Sequence, residues 1–506
     1  MAIRITNGIK MRTATDNILR ISDQLNKTQE KLVTGKKINR PSDDPIGTRQ
    51  ILNYRKEAAT QAQYIRNAEY STNFLRQTDS VVSSLQNITD AARSLGVQQA
   101  NFLPNQAQRS SAASQISLWI NEAVSLVNSK FGSRYVMGGQ STAESPIRQN
   151  GSEINYVGDN TEVQAEVNDG NMVGLNLVGS SVFAADLNAD IDANTLISGF
   201  HHGNGAPAGQ FSITNRLGNS ATVAIGANFT VGDVINSINS SGLGVSASIN
   251  SAGDGISITD NNLNPTGNLV VQDAGTGTTA RELGVIGNAA QTIQGIKAQP
   301  AITAATPLSL LKGGNGITLS DVRVVNGAAS GVVTFGNAAT VQDILNAFNN
   351  AGLNLNATIN SAGNGLKLAS TTGATIPVVL DSGTGTTASD LGLGGANSLF
   401  STLTSLRAAF ANNDIRAVSA LVENLGVISE NMSNVRGTVG ARVNMVNSNV
   451  ESLNVNRENS TQAVALTEND DFAASATQLA ALETALNASL STTARILPPT
   501  LVDFLR

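Results

Sequence analysis

Residues Phe472 to Leu490 read FAASATQLAALETALNASL, with large apolar side chains at Phe472, Leu479, Leu482, Leu486 and Leu490. Spacings of three, four and seven place all five on one stripe of a helix. Such a stripe needs a facing stripe. A comparable one lies at the opposite end of the chain: Met11, Ala14, Ile18, Ile21, Leu25, Thr28 and Leu32, separated by alternating threes and fours. The two ends are therefore predicted to pair as helices along a coiled-coil-like seam. Two slender helices bury too little between them to offset the ordering of their backbones. The ends are expected to be mobile in a lone molecule and to become helical when neighbouring copies cover their flanks.

Working inward, Gly35 stops the first helix, and KKINRPSDDP (36–45) follows as a loop between helices. Ser42 or Asp44 is the expected N-cap, and Pro45 is tolerated in the first turn of the next helix. Helical spacing then runs from Ile51 to Leu95 and again through Ile116, Ile120, Ala123 and Val127. The glycines and proline of GSRYVMGGQSTAESP (132–146) end it, and EINYVGDNTEVQAEVNDGNMVGLNLVG (153–179) alternates apolar and polar residues around turns, as hairpins do. Beyond residue 398 the helical period returns at Leu399, Leu403, Leu406 and Phe410. After Asp414, a predicted cap, the longest seam in the chain passes through Val418, Leu421, Leu425, Ile428, Met432, Val435 and Val439 to Leu453.

Between these helical ends the sequence repeats itself. TVGDVINSINSSGLGVSASINSAGDGISIT from Thr230 aligns without gaps to TVQDILNAFNNAGLNLNATINSAGNGLKLA from Thr340, and DAGTGTTARELGVIG from Asp273 to DSGTGTTASDLGLGG from Asp381. Each copy reads as a short helix, a hairpin around SAGDG or SAGNG, and a turn closing on ELG or DLG. The predicted fold is mainly α at both terminal regions, with long coiled-coil helices from the two chain ends and β-rich, α+β modules inserted between them. The expected domains are 1–40 with 465–506 as the terminal coiled coil, 41–140 with 398–464 as a helical bundle, 141–199 as β-hairpins, and 200–290 and 300–396 as the two repeats.

Composition narrows the function. A chain of 506 residues with a net charge of -6 and only 14% charged residues has no basic field for nucleic acid and no extended acidic tail. The absence of cysteine excludes disulfides, thiolate metal sites and cysteine nucleophiles. No apolar run approaches the roughly 18 residues of a membrane span, and the start lacks a conventional cleaved signal.

Candidate chemical sites read as structural. Asp43, Asp44, Glu468, Asp470 and Asp471 stand where helices are predicted to begin and are expected to cap them. His201 and His202, the two histidines of the chain, read as a loop pair rather than metal ligands. GTGTT at Gly275 and Gly383 lacks the lysine of a nucleotide loop and reads as a turn into a short helix. The basic run Lys27, Lys31, Lys36, Lys37 and Arg40 reads as a solvated face or as a contact for acidic groups of a neighbour. Trp119 is expected in the core or at a subunit interface. No catalytic, cofactor or metal site is assigned, and no enzyme activity is expected.

Several of these stretches resemble one family. TGKKINRPSDDPIGTRQI (34–51) resembles the motif joining the N-terminal helices of the flagellin superfamily, and its RPSDDP form is closer to the hook-filament junction members than to most filament flagellins. FGSRYVMGGQSTAESPI (131–147), RGTVGARVNMV (436–446) and the closing ARILPPTLVDFLR are similar to the bundle exit and C-terminal helices of the same superfamily. The resemblance implies an extracellular structural subunit of the bacterial flagellum, exported unfolded through the flagellar type III pathway. Its implied partners are copies of itself in a ring, a neighbouring hook-associated protein, flagellin, and a cytoplasmic export chaperone on the C-terminal helix. The implied assembly residues are Met11, Ile18, Ile21, Leu25, Leu32, Phe472, Leu479, Leu482, Leu486 and Leu490, with Asn39, Arg40, Pro41, Ser42, Asp43 and Asp44 as the interhelix loop. A filament flagellin and, further off, a glycan-binding adhesin remain as alternatives. The Trp-free, Phe-poor repeats offer an adhesin little aromatic platform.

Overall fold

The computed structural model describes residues 7–101, 105–140, 142, 145–150, 153–158, 161–183, 187, 189–373 and 375–496. The resemblance of the closing motif from residue 497 onward lies outside the described residues.

The chain opens with α1 (Asn7–Thr34), α2 (Pro45–Asn101) and α3 (Gln106–Val127). Three hairpins follow: β1 (Lys130–Phe131) with β2 (Arg134–Tyr135), β3 (Ile147–Asn150) with β4 (Glu153–Tyr156), and β5 (Gln164–Asn168) with β6 (Asn171–Gly174). A short turn, α4 (Phe200–Gly203), leads into the first module: β7 (Gly209–Thr214), β8 (Ser220–Ile225), α5 (Val231–Asn239), β9 (Val245–Ile249), β10 (Ile256–Asp260), β11 (Leu269–Asp273), α6 (Thr279–Glu282), β12 (Gly287–Ala289) and β13 (Thr292–Ile293). The second module comprises β14 (Val322–Asn326), β15 (Ala329–Val333), α7 (Val341–Asn349), β16 (Leu355–Ile359), β17 (Leu366–Ser370), β18 (Val378–Asp381) and α8 (Thr387–Asp390). The chain then returns to helix in α9 (Leu399–Asn412), α10 (Ile415–Glu468) and α11 (Phe472–Ile496). Helical end regions with β-rich modules inserted between them are the architecture that the periodicity predicts.

The chain divides into two compact units. One comprises residues 1–72, 165–173 and 444–506, and the other 73–164 and 174–443.

In the first unit α1 packs along α11, so the two ends pair. A small core of Ala68, Val167, Val173 and Val446 lies between helical and hairpin residues. Side-chain amides reach the hairpin backbone there: Asn67 Nδ2 donates to the Glu166 carbonyl at 3.0 Å and Asn449 Nδ2 to that of Val167 at 2.8 Å.

In the second unit the helical spacing becomes a buried layer. Leu75, Val82 and Leu85 of α2, Ile116 and Ile120 of α3, Leu403 and Leu406 of α9, and Leu425, Ile428 and Met432 of α10 are all buried. Arg436 Nε donates to Asp79 Oδ1 at 2.9 Å and Ser429 Oγ to Asp90 Oδ1 at 2.8 Å, pinning α10 to α2 at its polar margin.

The two modules are built alike because their sequences place the same devices at the same points. Thr230 and Thr340 each accept the amide of the residue three positions on, while Asp233 and Asp343 return the bond to the cap amide, so α5 and α7 both begin with a capping box. In the GTGTT turns Gly275 and Gly383 take φ of 61° and 60°, and Asp273 and Asp381 accept the amides of Ala280 and Ala388 at 2.7 and 2.6 Å. GTGTT is thus a turn into a short helix, as read. The first module carries sheets ordered β12-β11-β7-β8 and β13-β10-β9; the second has β15-β14-β18 and β16-β17. The second has no counterpart of β12 and β13 among the described residues, because the chain passes from α8 directly into α9. Each module has its own core, and the incoming strand of chain serves both: Leu187 and Ala189 join the second core, and Ile191 the first.

Candidate assembly surface and its clamp

The seam of α1 and α11 is paired but not covered. Among the described residues no apolar side chain of either helix falls in the buried class. Ile18, Ile21, Leu25, Leu32, Leu479, Leu482 and Leu486 are half-buried along the stripe. Met11, Phe472 and Leu490 stay 41%, 68% and 48% exposed, and off the stripe Leu19 and Val33 are 63% and 87% exposed. The interior of the pair is small and polar, with Thr28 and Ser475 as its buried side chains. A helix that faces one partner leaves the flanks of its apolar stripe to water.

Beside the seam, the loop between α1 and α2 is closed by its own carboxylates. The amides of Asn39 and Arg40 donate to Asp43 Oδ2 at 3.1 and 2.8 Å, and those bonds hold the Asp43 carboxyl below its ordinary range. Asp44 Oδ1 accepts the amides of Ile46 and Gly47 at 3.1 and 2.9 Å, which makes Asp44 rather than Ser42 the cap of α2. A Cβ at Gly47 would meet Asp44 Oδ2 at 2.5 Å and Ile38 Cδ1 at 2.7 Å, so a larger residue here must displace the ends of those two side chains, one of them the cap of α2. Pro41 and Ser42 lie exposed at the loop surface.

That loop is clasped to the turn between α10 and α11. The Lys37 amide donates to the Glu468 carbonyl at 2.8 Å, and the Asp470 amide to that of Gly35 at 2.9 Å, across an antiparallel bridge of Lys36 and Asn469. Glu468 Oε1 takes Lys36 Nζ at 2.6 Å, and Oε2 takes Arg55 at 2.6 Å. Burial pushes the Glu468 carboxyl up, but the hydrogen bonds and charges of Lys36 and Arg55 outweigh it and hold the group below its ordinary value.

This corrects the reading of the acidic cluster. Asp471 does cap α11, accepting the Ala474 amide at 3.1 Å. Glu468, however, is the last residue of α10, 8% exposed, and serves as the ionic centre of the clasp. Periodicity could not find this role, because the partners lie more than four hundred residues away in sequence. The clue available was the density of lysine at 36 and 37, which needed an acid to answer it. Much of the basic run is answered inside the chain: Lys27 pairs with Asp23 at 2.8 Å, Arg40 with Glu30 at 3.3 Å, and Lys37 Nζ donates to the Leu466 carbonyl at 3.3 Å.

Among the described residues no group of three or more His, Cys, Asp or Glu is placed to hold a metal ion, and no helix is long and apolar enough to cross a membrane. Trp119 is half-buried on α3. The geometry suits assembly, since a clasped helix pair presents an apolar stripe to whatever completes its core.

The bacterial flagellin N-terminal helical region matches residues 5–142, and the bacterial flagellin C-terminal helical region matches residues 422–505. Among curated proteins, flagellar hook-associated protein 3 of Salmonella typhimurium is 26% identical over 158 residues, 31% of this chain and 49% of that protein. Polar flagellin F of Vibrio parahaemolyticus is 23% identical over 141 residues, 28% and 37% respectively. The chain thus spans about half or less of the length of the curated relatives it matches. A crystal structure of flagellar hook associated protein-3 from Legionella pneumophila aligns with a TM-score of 0.38 and 14% identity, over 82% of this chain and 98% of that one.

Proposed function

We propose that this chain, a member of the flagellin superfamily by both of its ends, is a structural subunit of the bacterial flagellum that forms the joint between hook and filament. The observation that carries the reading is the paired but uncovered seam of α1 and α11. In the proposed assembly the terminal helices of neighbouring copies cover one another in a ring, and Met11, Ile18, Ile21, Leu25, Leu32, Phe472, Leu479, Leu482, Leu486 and Leu490 become interior. In this reading residues 1–40 and 465–506 are the part of the chain that assembles. A hook-associated protein and flagellin adjoin the ring at its two faces. Before assembly, a cytoplasmic chaperone on α11 keeps the stripe from premature contact, and export follows the flagellar type III route. The role is mechanical rather than catalytic.

The RPSDDP form of the interhelix loop favours the joint over the filament. Deleting the gene separates the two. Under the joint reading, cells retain hooks, lose filaments and shed intact filament subunits into the medium. If filaments stay attached, the joint reading is overturned; loss of filaments with no subunits in the medium selects the flagellin reading instead.

A further inference from the structure

The internal repeat extends to residues 196–205, LISGFHHGNG, and 307–316, PLSLLKGGNG. Leu196 bridges Thr230 as Pro307 bridges Thr340. Asn204 Nδ2 donates to the His201 carbonyl at 2.8 Å and Asn315 Nδ2 to that of Lys312 at 2.9 Å, so the two turns are the same device. Both need left-handed backbone at three successive positions, 201–203 and 312–314. His201 and Lys312 take φ of 53° and 57°, and His202 and Gly313 take 56° and 65°.

His201 is explained by this equivalence. Its Nε2 lies 3.5 Å from Glu282 Oε2, where Lys312 Nζ meets Asp390 Oδ1 at 2.6 Å, and the two acids hold the same place in ELG and DLG. His202 is not. The second module puts glycine there, which takes positive φ without strain; the first holds an imidazole there against that preference. Neither ring nitrogen of His202 has a partner, although both are withdrawn from solvent. Burial, and then the charges of His201 and Arg148, push the ring toward its neutral form.

The ring borders a cavity of about 850 Å³ whose walls include Arg148, Gln149, Asn155, Gln299 and Ser361. A neutral imidazole offers one donor and one acceptor, side-chain amides and a hydroxyl offer both as well, and the guanidinium of Arg148 and the carboxylate of Glu282, which also line the cavity, oppose one another in charge. The matching ligand carries groups that donate and accept at once, without net charge. We propose that His202 and this cavity form a binding site for a hydroxyl-rich ligand without net charge, up to the size of a short oligosaccharide, with the ring turning about its side-chain torsions to meet a ligand hydroxyl. The proposal stands apart from the assembly reading, since it rests on the first module's departure from the second.

The test uses the full chain with 13C-labelled histidine, which gives two imidazole signals to follow. Free hexoses and N-acetylhexosamines form one arm, oligosaccharides the other, and inorganic phosphate is the control. The signal missing from H202G should move saturably, with a dissociation constant of about 1 mM or tighter, and H202G should lose binding by calorimetry. Response to free hexoses identifies a soluble sugar as the source, and response to oligosaccharides alone identifies a glycan chain. H202G should melt no lower than the parent, because glycine suits the backbone. Failure of every sugar to move the His202 signal, movement with phosphate alone, or a lowered melting temperature in H202G would each overturn the proposal, the last by making the ring a packing residue.

Discussion

Helix α7 of the second module and helix α11 both carry an apolar stripe, yet Val341, Ile344 and Phe348 are at most 1% exposed while Phe472 and Leu490 are 68% and 48% exposed. The difference is not one of hydrophobicity. Helix α7 spans nine residues and joins a core to which strands of both sheets of its module contribute, whereas α11 spans 25 residues and packs along a single helix of its own unit. A stripe is closed by a layer and left open by a rod. The modules therefore close their cores within the chain, and the paired ends leave part of their apolar stripe exposed.

The sharpest way to break this contrast is to charge the open stripe. Leu479→Asp, Leu482→Asp and Leu486→Asp together should abolish the proposed self-assembly, since each leucine forfeits about 2 kcal/mol of side-chain burial on assembly and a carboxylate in its stead must be desolvated. The modules should unfold at an unchanged temperature, measured by circular dichroism, with assembly followed by sedimentation. Assembly at the parent's size would remove the ends from the proposed assembly surface. Hydrogen exchange sharpens the same point: in the dispersed chain, amides of α11 should exchange far faster than those of α7, and the gap should close on assembly.

A cavity in a finished core should do the reverse. Phe348 is fully buried and stacks edge-on against Phe335 with ring centroids 5.5 Å apart. Phe348→Ala should cost the second module about 3–5 kcal/mol while leaving polymerisation intact below its lowered melting point. If polymerisation fails together with module stability, the two regions are coupled and the contrast is false.

Between these extremes sits the clasp. Glu468→Gln should cost about 1–2 kcal/mol, at the low end for charged hydrogen bonds because Lys36 and Arg55 remain half in water. The Glu468 carboxyl is held below its ordinary value of 4.5, so its contribution is fully present above that pH and is lost as pH falls through the folded value. The parent chain should loosen at the ends on acidification below pH 4.5, read as faster exchange at Lys37 and Asp470, and the glutamine variant should show a flatter acid response.

What the sequence made legible follows the range over which each signal acts. Heptad-like spacing is local, so α1, α10 and α11 and the pairing of the ends could be read directly from Met11 to Leu32 and Phe472 to Leu490. The modules were legible because a gapless repeat fixes helix, hairpin and turn twice over. Glu468 was missed because its meaning lies in Lys36 and Arg55, and no spacing rule connects them. Ile38 and Gly47 escaped notice for a similar reason: the crowding at Gly47 comes from the side chains of Asp44 and Ile38, which only the folded loop brings against it. His202 became unusual only once Gly313 was seen to hold its place.

The smallest effect tests the comparison within the modules themselves. Thr230 and Thr340 make the same capping box, and Thr230→Ala and Thr340→Ala should each cost about 0.5–1 kcal/mol, read as the melting of the first and second module. The first module has β12 and β13 completing its sheets, and the second has no such strands among the described residues. A cap is a local interaction, so the two losses should be equal whatever the starting stabilities. An unequal loss would mean that the missing strands change how firmly α7 is seated, and the second module would then be a less finished core than its burial suggests.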